Sequence, residues 1–199
     1  MNKFYNKSIF ILVLTIIFNS FAPFVLGKSD VDLVEVKLIN NLDDERGYCI
    51  DIKGYKDKAK ISRGLQAHTC YSYQGEIAVD QGLDTNKFNS NQMFFPNFNV
   101  CINVSSLNKA TYLNLEKCID EKQFVFFKDN TIRLVGDLNL CITVSNKESK
   151  AGGGGSPLHL IRSLSLQKCN KNNFLYQTWV LRRVVKGKII QDELINYIQ

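Results

Sequence analysis

The sequence predicts a single all-β domain with internal threefold symmetry, because one short motif of strand type occurs three times. The motif is an apolar residue, a cysteine, an isoleucine, a polar residue and a β-branched residue, at residues 48–52, 100–104 and 140–144. Alternating apolar and polar residues over so short a run indicate a half-buried strand, and no segment shows a helical period. A single unit of this kind cannot bury its apolar face alone, so we expect the three units to close on one another.

The other strands are predicted from the segments around this motif. Val34, Val36 and Leu38 alternate with other residues and predict a strand ahead of the first copy, and the Asn- and Asp-rich residues 40–47 predict a turn. The second half of each unit recurs as a strand that ends in a cysteine and is followed by a glutamine: residues 64–70 with Gln74, residues 112–118 with Gln123, and residues 164–169 with Gln177.

The glycine-rich residues 151–157 predict a flexible loop inserted in the third unit. A phosphate-binding loop is disfavoured, because no Lys-Ser/Thr pair follows and no helix is predicted after it. We expect His159, which comes next, to lie at the surface. The basic residues between Lys53 and Arg63 predict a solvated loop in preference to an anion-binding patch.

Residues 1–27 predict a secretory signal peptide, with two lysines ahead of an apolar run at residues 9–18. An uncleaved anchor is the alternative, but residues 19–23 interrupt the run, which is short of the about 20 residues that span a membrane. We expect an exported protein, secreted or periplasmic, without a membrane span. Its domain is predicted at residues 28–191, with a short tail at residues 192–199.

Charge and cysteine content narrow the possible partners. The formal net charge of +6 falls to +4 (6 − 2) without the two lysines of the signal peptide. Acidic and basic residues are interspersed along the rest of the chain. This balance does not favour nucleic acid as a partner. Six cysteines in an exported chain imply disulfides, although their spacing leaves 15 pairings open. With no C-x-x-C and two histidines, we expect neither a metal nor a cofactor.

Catalysis has little support in the residues. The cysteines are committed to disulfides, and no motif places a serine beside a histidine with an orienting acid. Asp51 and Glu76 are a conceivable glycosidase pair, but nothing in the sequence sets the separation that such chemistry requires. We therefore expect that the protein is not an enzyme.

Cys-x-Asp-Ile at residues 49–52, Gln-x-His-x-Cys at residues 66–70 and Gln-x-Trp at residues 177–179 resemble the ricin B-chain family of β-trefoil lectins. The resemblance covers about residues 36–191, and only the third unit keeps the Gln-x-Trp signature whole. It implies a β-trefoil of twelve strands in three lobes. It also implies one disulfide within each lobe: Cys49–Cys70, Cys101–Cys118 and Cys141–Cys169.

The resemblance also implies a sugar site in the first unit, for a ligand of galactose type. In that family the Asp51 position accepts hydrogen bonds from sugar hydroxyls, Gln66 supplies an amide and His68 a flat ring, while Gln74 steadies the carboxylate. A charged acceptor suits vicinal hydroxyl donors, since its hydrogen bonds are about twice as strong as neutral ones. We expect a shallow site of millimolar affinity, about −4 kcal/mol.

The other two units lack this set of side chains. The positions of Asp51 and His68 are occupied by Asn103 and Glu116 in the second unit, and by Thr143 and Gln167 in the third. We therefore predict one sugar site or none. Structural roles remain open in the first unit too, with Asp51 capping a turn and His68 packed in the core. If His68 stacks on a sugar, its binding is expected to depend on protonation near pH 6.5.

The leading hypothesis is a small exported protein that binds a glycan or glycoconjugate. The alternative is a β-trefoil that has lost sugar binding and uses its loops against a protein, for example as a hydrolase inhibitor. A third possibility is a subunit whose partner chain carries out the chemistry.

Overall fold

The computed structural model of the protein describes residues 32–88, 90–104, 113–119 and 123–192. The predicted signal peptide lies outside these residues, as does the predicted tail beyond residue 192. The described chain is all-β, as the sequence predicts, and its one α-helix there is the four-residue α1 (Thr85–Phe88). No described helix has the length and apolar character needed to cross a bilayer.

Fifteen strands make up the described structure. In chain order they are β1 (Leu33–Leu38), β2 (Tyr48–Ile52), β3 (Leu65–Thr69), β4 (Leu83–Asp84), β5 (Phe94–Phe95), β6 (Val100–Val104), β7 (Leu113–Glu116), β8 (Phe124–Phe126), β9 (Ile132–Leu134), β10 (Asp137–Val144), β11 (Lys150–Ala151), β12 (Leu160–Arg162), β13 (Leu164–Lys168), β14 (Trp179–Val185) and β15 (Lys188–Asp192).

The strands form three antiparallel sheets. The largest has the order β11-β12-β3-β2-β1-β14-β15, with β4 also paired to β1. The second has the order β13-β10-β9-β8, and the third β5-β6-β7. The two halves of each sequence repeat pair with each other, as β2 with β3, β6 with β7, and β10 with β13. The repeat in the sequence is therefore a repeated antiparallel pair in the structure.

One disulfide closes each of these pairs. The bonds are Cys49–Cys70, Cys101–Cys118 and Cys141–Cys169, which are the pairs that the resemblance implies. We call residues 48–70, 100–118 and 140–169 the first, second and third units. The linked cysteines are 21, 17 and 28 residues apart. Loops of this length stabilise the fold by about 3 kcal/mol each, because they restrict the unfolded chain.

The three units contribute to one hydrophobic core. The isoleucine after the first cysteine of each unit, at positions 50, 102 and 142, is at most 1% exposed. Trp179 on β14 is fully buried, and its Nε1 donates to the Ile142 carbonyl at 3.1 Å, so its polar atom is satisfied. Phe88 packs edge-on against Phe126 at a centroid distance of 5.1 Å, which joins α1 to β8.

Of the predicted loop at residues 151–157, Ala151 ends β11 and residues 152–157 belong to the loop that joins β11 to β12. Residues 150–162 form a hairpin of β11 and β12 whose second strand pairs with β3, placing Ile161 opposite His68. We call it the third-unit hairpin. Pairing satisfies the edge of β3, and it carries part of the third unit onto the first.

His159 lies at the base of this hairpin and is buried, at 5% exposed, which corrects the expected surface position. Gly155 makes this possible. Its φ is +91°, and a Cβ at this position would lie 2.3 Å from His159 Cδ2. Only a glycine allows both the backbone conformation and the close approach of the ring.

Candidate functional site

A cavity of about 580 Å³ lies beside β3 of the first unit. Gln66 and His68 of β3 line one side, residues of the basic stretch 53–63 line another, and residues 151–153 of the third-unit hairpin line a third. The cavity therefore depends on two units, which the first-unit motif alone does not predict.

Asp51 is brought next to Gln66 but does not line the cavity. Its side chain is on β2, directly opposite Gln66 on β3, and the residue is 1% exposed. Gln66 Nε2 donates to its Oδ1 at 2.7 Å, and Gln81 Nε2 donates to its Oδ2 at 3.2 Å. This corrects the expectation that the carboxylate faces a sugar. Asp51 instead orients the Gln66 amide and leaves Gln66 Oε1 as the acceptor available to a ligand.

A second buried acid, Asp80, lies behind the cavity. Burial, with a repulsive contribution from Asp80, raises the pKa of Asp51 well above its usual range. Burial also raises the pKa of Asp80 to about 6, although its Oδ2 accepts a hydrogen bond from the Lys56 backbone N–H. Both shifts favour the protonated, neutral carboxyl. At pH 7 this favours a neutral Asp51, while Asp80, with a pKa of about 6, stays mostly ionised.

Gln74 does not steady Asp51. Its Nε2 donates to the Tyr73 hydroxyl at 2.9 Å in an exposed position. Gln81 is the fully buried glutamine that contacts the carboxyl, and its Oε1 accepts from the Tyr71 backbone N–H at 2.9 Å. The role that the resemblance implies for Gln74 therefore falls on Gln81.

The third unit shows the same arrangement. Gln177 Nε2 donates to Thr143 Oγ1 at 2.9 Å, and its Oε1 accepts from the Asn170 backbone N–H at 3.0 Å. Gln177 stands 8 residues after its cysteine and Gln81 stands 11 after its own, so spacing alone does not align them. A usable signal is the large apolar residue two positions later, Leu83 after Gln81, as Trp179 follows Gln177.

His68 belongs to a cluster of three aromatic rings, which we call the ring cluster. The centroids of His68, Tyr71 and His159 form a triangle with distances of 5.1, 5.0 and 5.1 Å. His68 is 4% exposed, and its Nδ1 donates to the Thr69 carbonyl at 2.8 Å. Burial lowers its pKa to about 4, so the ring is neutral at pH 7. The expected protonation near pH 6.5 is therefore corrected, and little of the ring is free to stack on a ligand.

The ring cluster also holds the third-unit hairpin in place. His159 Nε2 lies 3.4 Å from the Tyr73 hydroxyl, and burial followed by the charge of Arg46 lowers the pKa of His159. Arg46 pairs with Asp44 at 2.7 Å and donates to the Leu158 carbonyl at 2.7 Å. These contacts fix the hairpin wall of the cavity.

Tyr55 supplies the exposed flat ring that His68 does not. It lines the cavity and is 55% exposed, in contrast to the two buried rings of the cluster that also line it. An aromatic side chain with one wet face can pack on the C–H face of a sugar. Sequence reasoning missed Tyr55, although an aromatic residue inside a polar loop is a usable signal.

The basic stretch does not simply face bulk solvent. Lys53, Lys58 and Arg63 line the cavity, and none of them forms an ion pair with another described residue. Lys56 is different, since it pairs with Glu76 at 2.9 Å. The predicted solvated loop therefore presents three cations to the cavity.

The corresponding positions of the other units offer less room. In the third unit, Thr143 and Gln167 line a cavity of about 20 Å³, which holds little more than a water molecule. In the second unit, Asn103 is 4% exposed and its Nδ2 lies 3.5 Å from the Lys117 carbonyl. Among the described residues, the motif residues of the first unit adjoin a cavity of ligand size, whereas Thr143 and Gln167 of the third unit do not.

A cluster of metal-type side chains lies elsewhere, around Glu35, Cys49 and Cys70. The two sulfur atoms are bonded to each other, and Glu35 Oε2 accepts from Arg182 at 2.9 Å. Because of this disulfide and the hydrogen bond from Arg182, these atoms are not free to coordinate a metal.

In comparisons with known proteins, no family model and no curated protein sequence matches the chain.

Proposed function

We propose that the protein is an exported carbohydrate-binding protein of β-trefoil fold, whose ligand occupies the cavity beside β3. The observation that carries the proposal is the amide of Gln66, held by the buried carboxyl of Asp51 and lining the same cavity as the exposed ring of Tyr55. A volume of about 580 Å³ is within the range of small-ligand sites. An oriented amide and an open ring match the hydroxyl and C–H faces of a sugar.

The trefoil assignment is supported by the repeated arrangement. Each unit is a disulfide-closed strand pair, and Gln81 and Gln177 make matching contacts in the first and third units. Three disulfides are typical of an exported protein, secreted or periplasmic.

A glycan array probed with the chain from residue 28 onward tests the proposal. We expect binding of millimolar strength, about −4 kcal/mol, since one ring and a few polar contacts are available. Gln66→Ala and Tyr55→Ala are each expected to weaken binding at least about tenfold, which corresponds to 1.4 kcal/mol.

Gln74→Ala is the matched control, because it removes an amide of the same type at an exposed position outside the cavity. It is expected to leave binding unchanged. Because Tyr55 is exposed and contributes little to stability, loss of binding in Tyr55→Ala is not explained by misfolding. Glycan binding that survives both cavity substitutions would reject this site, and no glycan binding at all would reject the function.

The protein-interaction alternative is favoured by one observation. Within the part of the chain that the structure describes, strand β15 is at the edge of its sheet, and Val185, Ile189 and Ile190 beside this edge are each more than 40% exposed. Such an edge can pair with a strand of another protein. That role predicts partner binding that is lost with Ile189→Lys and unaffected by Gln66→Ala.

A further inference from the structure

A second cavity of about 310 Å³ adjoins the first. The two share Lys53, Gln66 and Ile161 in their walls, so they lie side by side on one surface, and together we call them the groove. The added part is lined by residues of β12 and of the segment 145–150 that leads into the third-unit hairpin. A ligand longer than one sugar ring has room along this groove.

The charged side chains of the groove are strongly biased to one sign. Six basic side chains line it against one acid, Glu148; they are Arg162 and a set of five, Lys53, Lys58, Arg63, Lys147 and Lys150. None of the five forms an ion pair with another described residue. Arg162, which also lines the groove, is neutralised by Asp43 at 2.8 Å.

This bias is local, because the chain as a whole carries 25 basic and 19 acidic residues. The nearest buried acids offset little of it. Burial raises the pKa of Asp51 well above its usual range, which favours its neutral form, and Asp80, whose pKa is raised to about 6, adds one negative charge at pH 7 against five cations. Cations gathered in a concave wall repel one another and concentrate their field inside the groove. A negatively charged ligand relieves that repulsion.

We infer that the groove binds an acidic carbohydrate, whose sulfate or carboxylate groups meet these five cations while one ring packs on Tyr55 next to Gln66. This inference rests on the proposed function, since it names the class of sugar. The acidic groups, rather than a galactose-type hydroxyl pattern, then supply most of the recognition. Nucleic acid is the less favoured polyanion, since three disulfides are typical of an exported chain, which rarely meets it.

Three probes of matched length separate the possibilities when titrated into the chain from residue 28 onward. Fragments of dextran sulfate carry sulfate, fragments of polygalacturonate carry carboxylate, and fragments of dextran carry no charge. We expect at least one acidic probe to bind about tenfold or more tightly than dextran. Its affinity is expected to fall between 50 and 300 mM NaCl, because salt screens exposed charges.

A triple variant tests whether the groove is responsible. Lys58→Gln, Arg63→Gln and Lys150→Gln together are expected to lower the affinity for the acidic probe at least about tenfold. The matched control removes the same charge from exposed lysines outside the groove: Lys128→Gln, Lys168→Gln and Lys171→Gln. It is expected to have less than a threefold effect.

Each other outcome overturns a specific claim. An equal loss in both triple variants shows attraction to net charge and rejects the groove. Dextran bound as tightly as the acidic probes, in a manner sensitive to Gln66→Ala, rejects the acidic ligand but leaves the proposed function. Binding of a thymidine oligonucleotide in the absence of any carbohydrate binding rejects both.

Discussion

Gln81 is the residue on which the buried polar side of the first unit depends. It donates to the Asp51 carboxyl and to the Thr69 carbonyl, and it accepts from the Tyr71 backbone N–H. These are fully buried groups, and water cannot replace the amide without opening the fold. The residue therefore supports the cavity without lining it.

Gln81→Ala is expected to lower the free energy of unfolding by about 1–3 kcal/mol, because it leaves buried oxygens of Asp51 and Thr69 without this donor. Urea denaturation measures the change. Gln74→Ala, at an exposed glutamine of the same unit, is expected to change stability by less than about 0.5 kcal/mol. Equal effects of the two substitutions would show that Gln81 has no special role.

At the scale of elements, the third-unit hairpin is what turns a strand pair into a walled cavity. It pairs with β3, and Arg46 and the ring cluster hold it there. Three of its four glycines have a structural reason, because Gly154 and Gly155 have positive φ and Gly152 and Gly155 closely approach His159.

Gly155→Ala is expected to destabilise the protein by about 1–3 kcal/mol, since alanine is strained at positive φ and its Cβ would meet the His159 ring. Hydrogen exchange should locate the effect, with faster exchange of the β12 amides and unchanged exchange in β6.

Gly153→Ala is the control. A Cβ there has open space, and its φ is outside the left-handed region, so an effect within about 0.5 kcal/mol is expected. Faster β12 exchange in this control as well would mean that the effect is not specific to the Gly155 geometry.

For the whole molecule, the dependence of stability on pH includes opposing contributions from His68, which lines the cavity, and Asp80, which lies behind it. The pKa of His68 is lowered from about 6.5 to about 4 by burial, so the unfolded state binds more protons between these values. His68 therefore removes stability as the pH falls from 6.5 to 4. The pKa of Asp80 is raised to about 6 by burial, so its carboxyl adds stability as the pH falls from 6 to 3.8.

Each contribution is on the order of 3 kcal/mol, and the two oppose each other between pH 4 and 6. Asp80→Asn lacks this stabilising contribution, so we expect its free energy of unfolding to fall more steeply than that of the parent protein as the pH falls from 6 toward 4. His68→Gln lacks the destabilising contribution of His68, so its free energy of unfolding should fall less than that of the parent protein over the same pH range. Urea denaturation from pH 4 to 7 measures both, and parallel profiles for all three proteins would contradict the assigned pKa shifts.

Much of this architecture is readable from local residue patterns. Strand alternation and the threefold motif predict the all-β class and the three repeated units, because side chains of a strand alternate between two faces regardless of distant contacts. The glutamine that contacts Asp51 could not be identified from the sequence, which favours Gln74, whereas the structure shows Gln81 in that role. A connection that is three residues longer hides the equivalent glutamine, and only its buried hydrogen bonds reveal it.

The sequence by itself thus determined the β class and the first unit as the place where an acid, an amide and a ring converge. Only the tertiary structure decided that Asp51 and His68 are covered by other segments, and that Tyr55, the basic residues and the third-unit hairpin form the walls. The reason is physical. Exposure and cavity shape depend on which distant segment packs against a strand, and the segment that covers β3 comes from about 90 residues later in the chain.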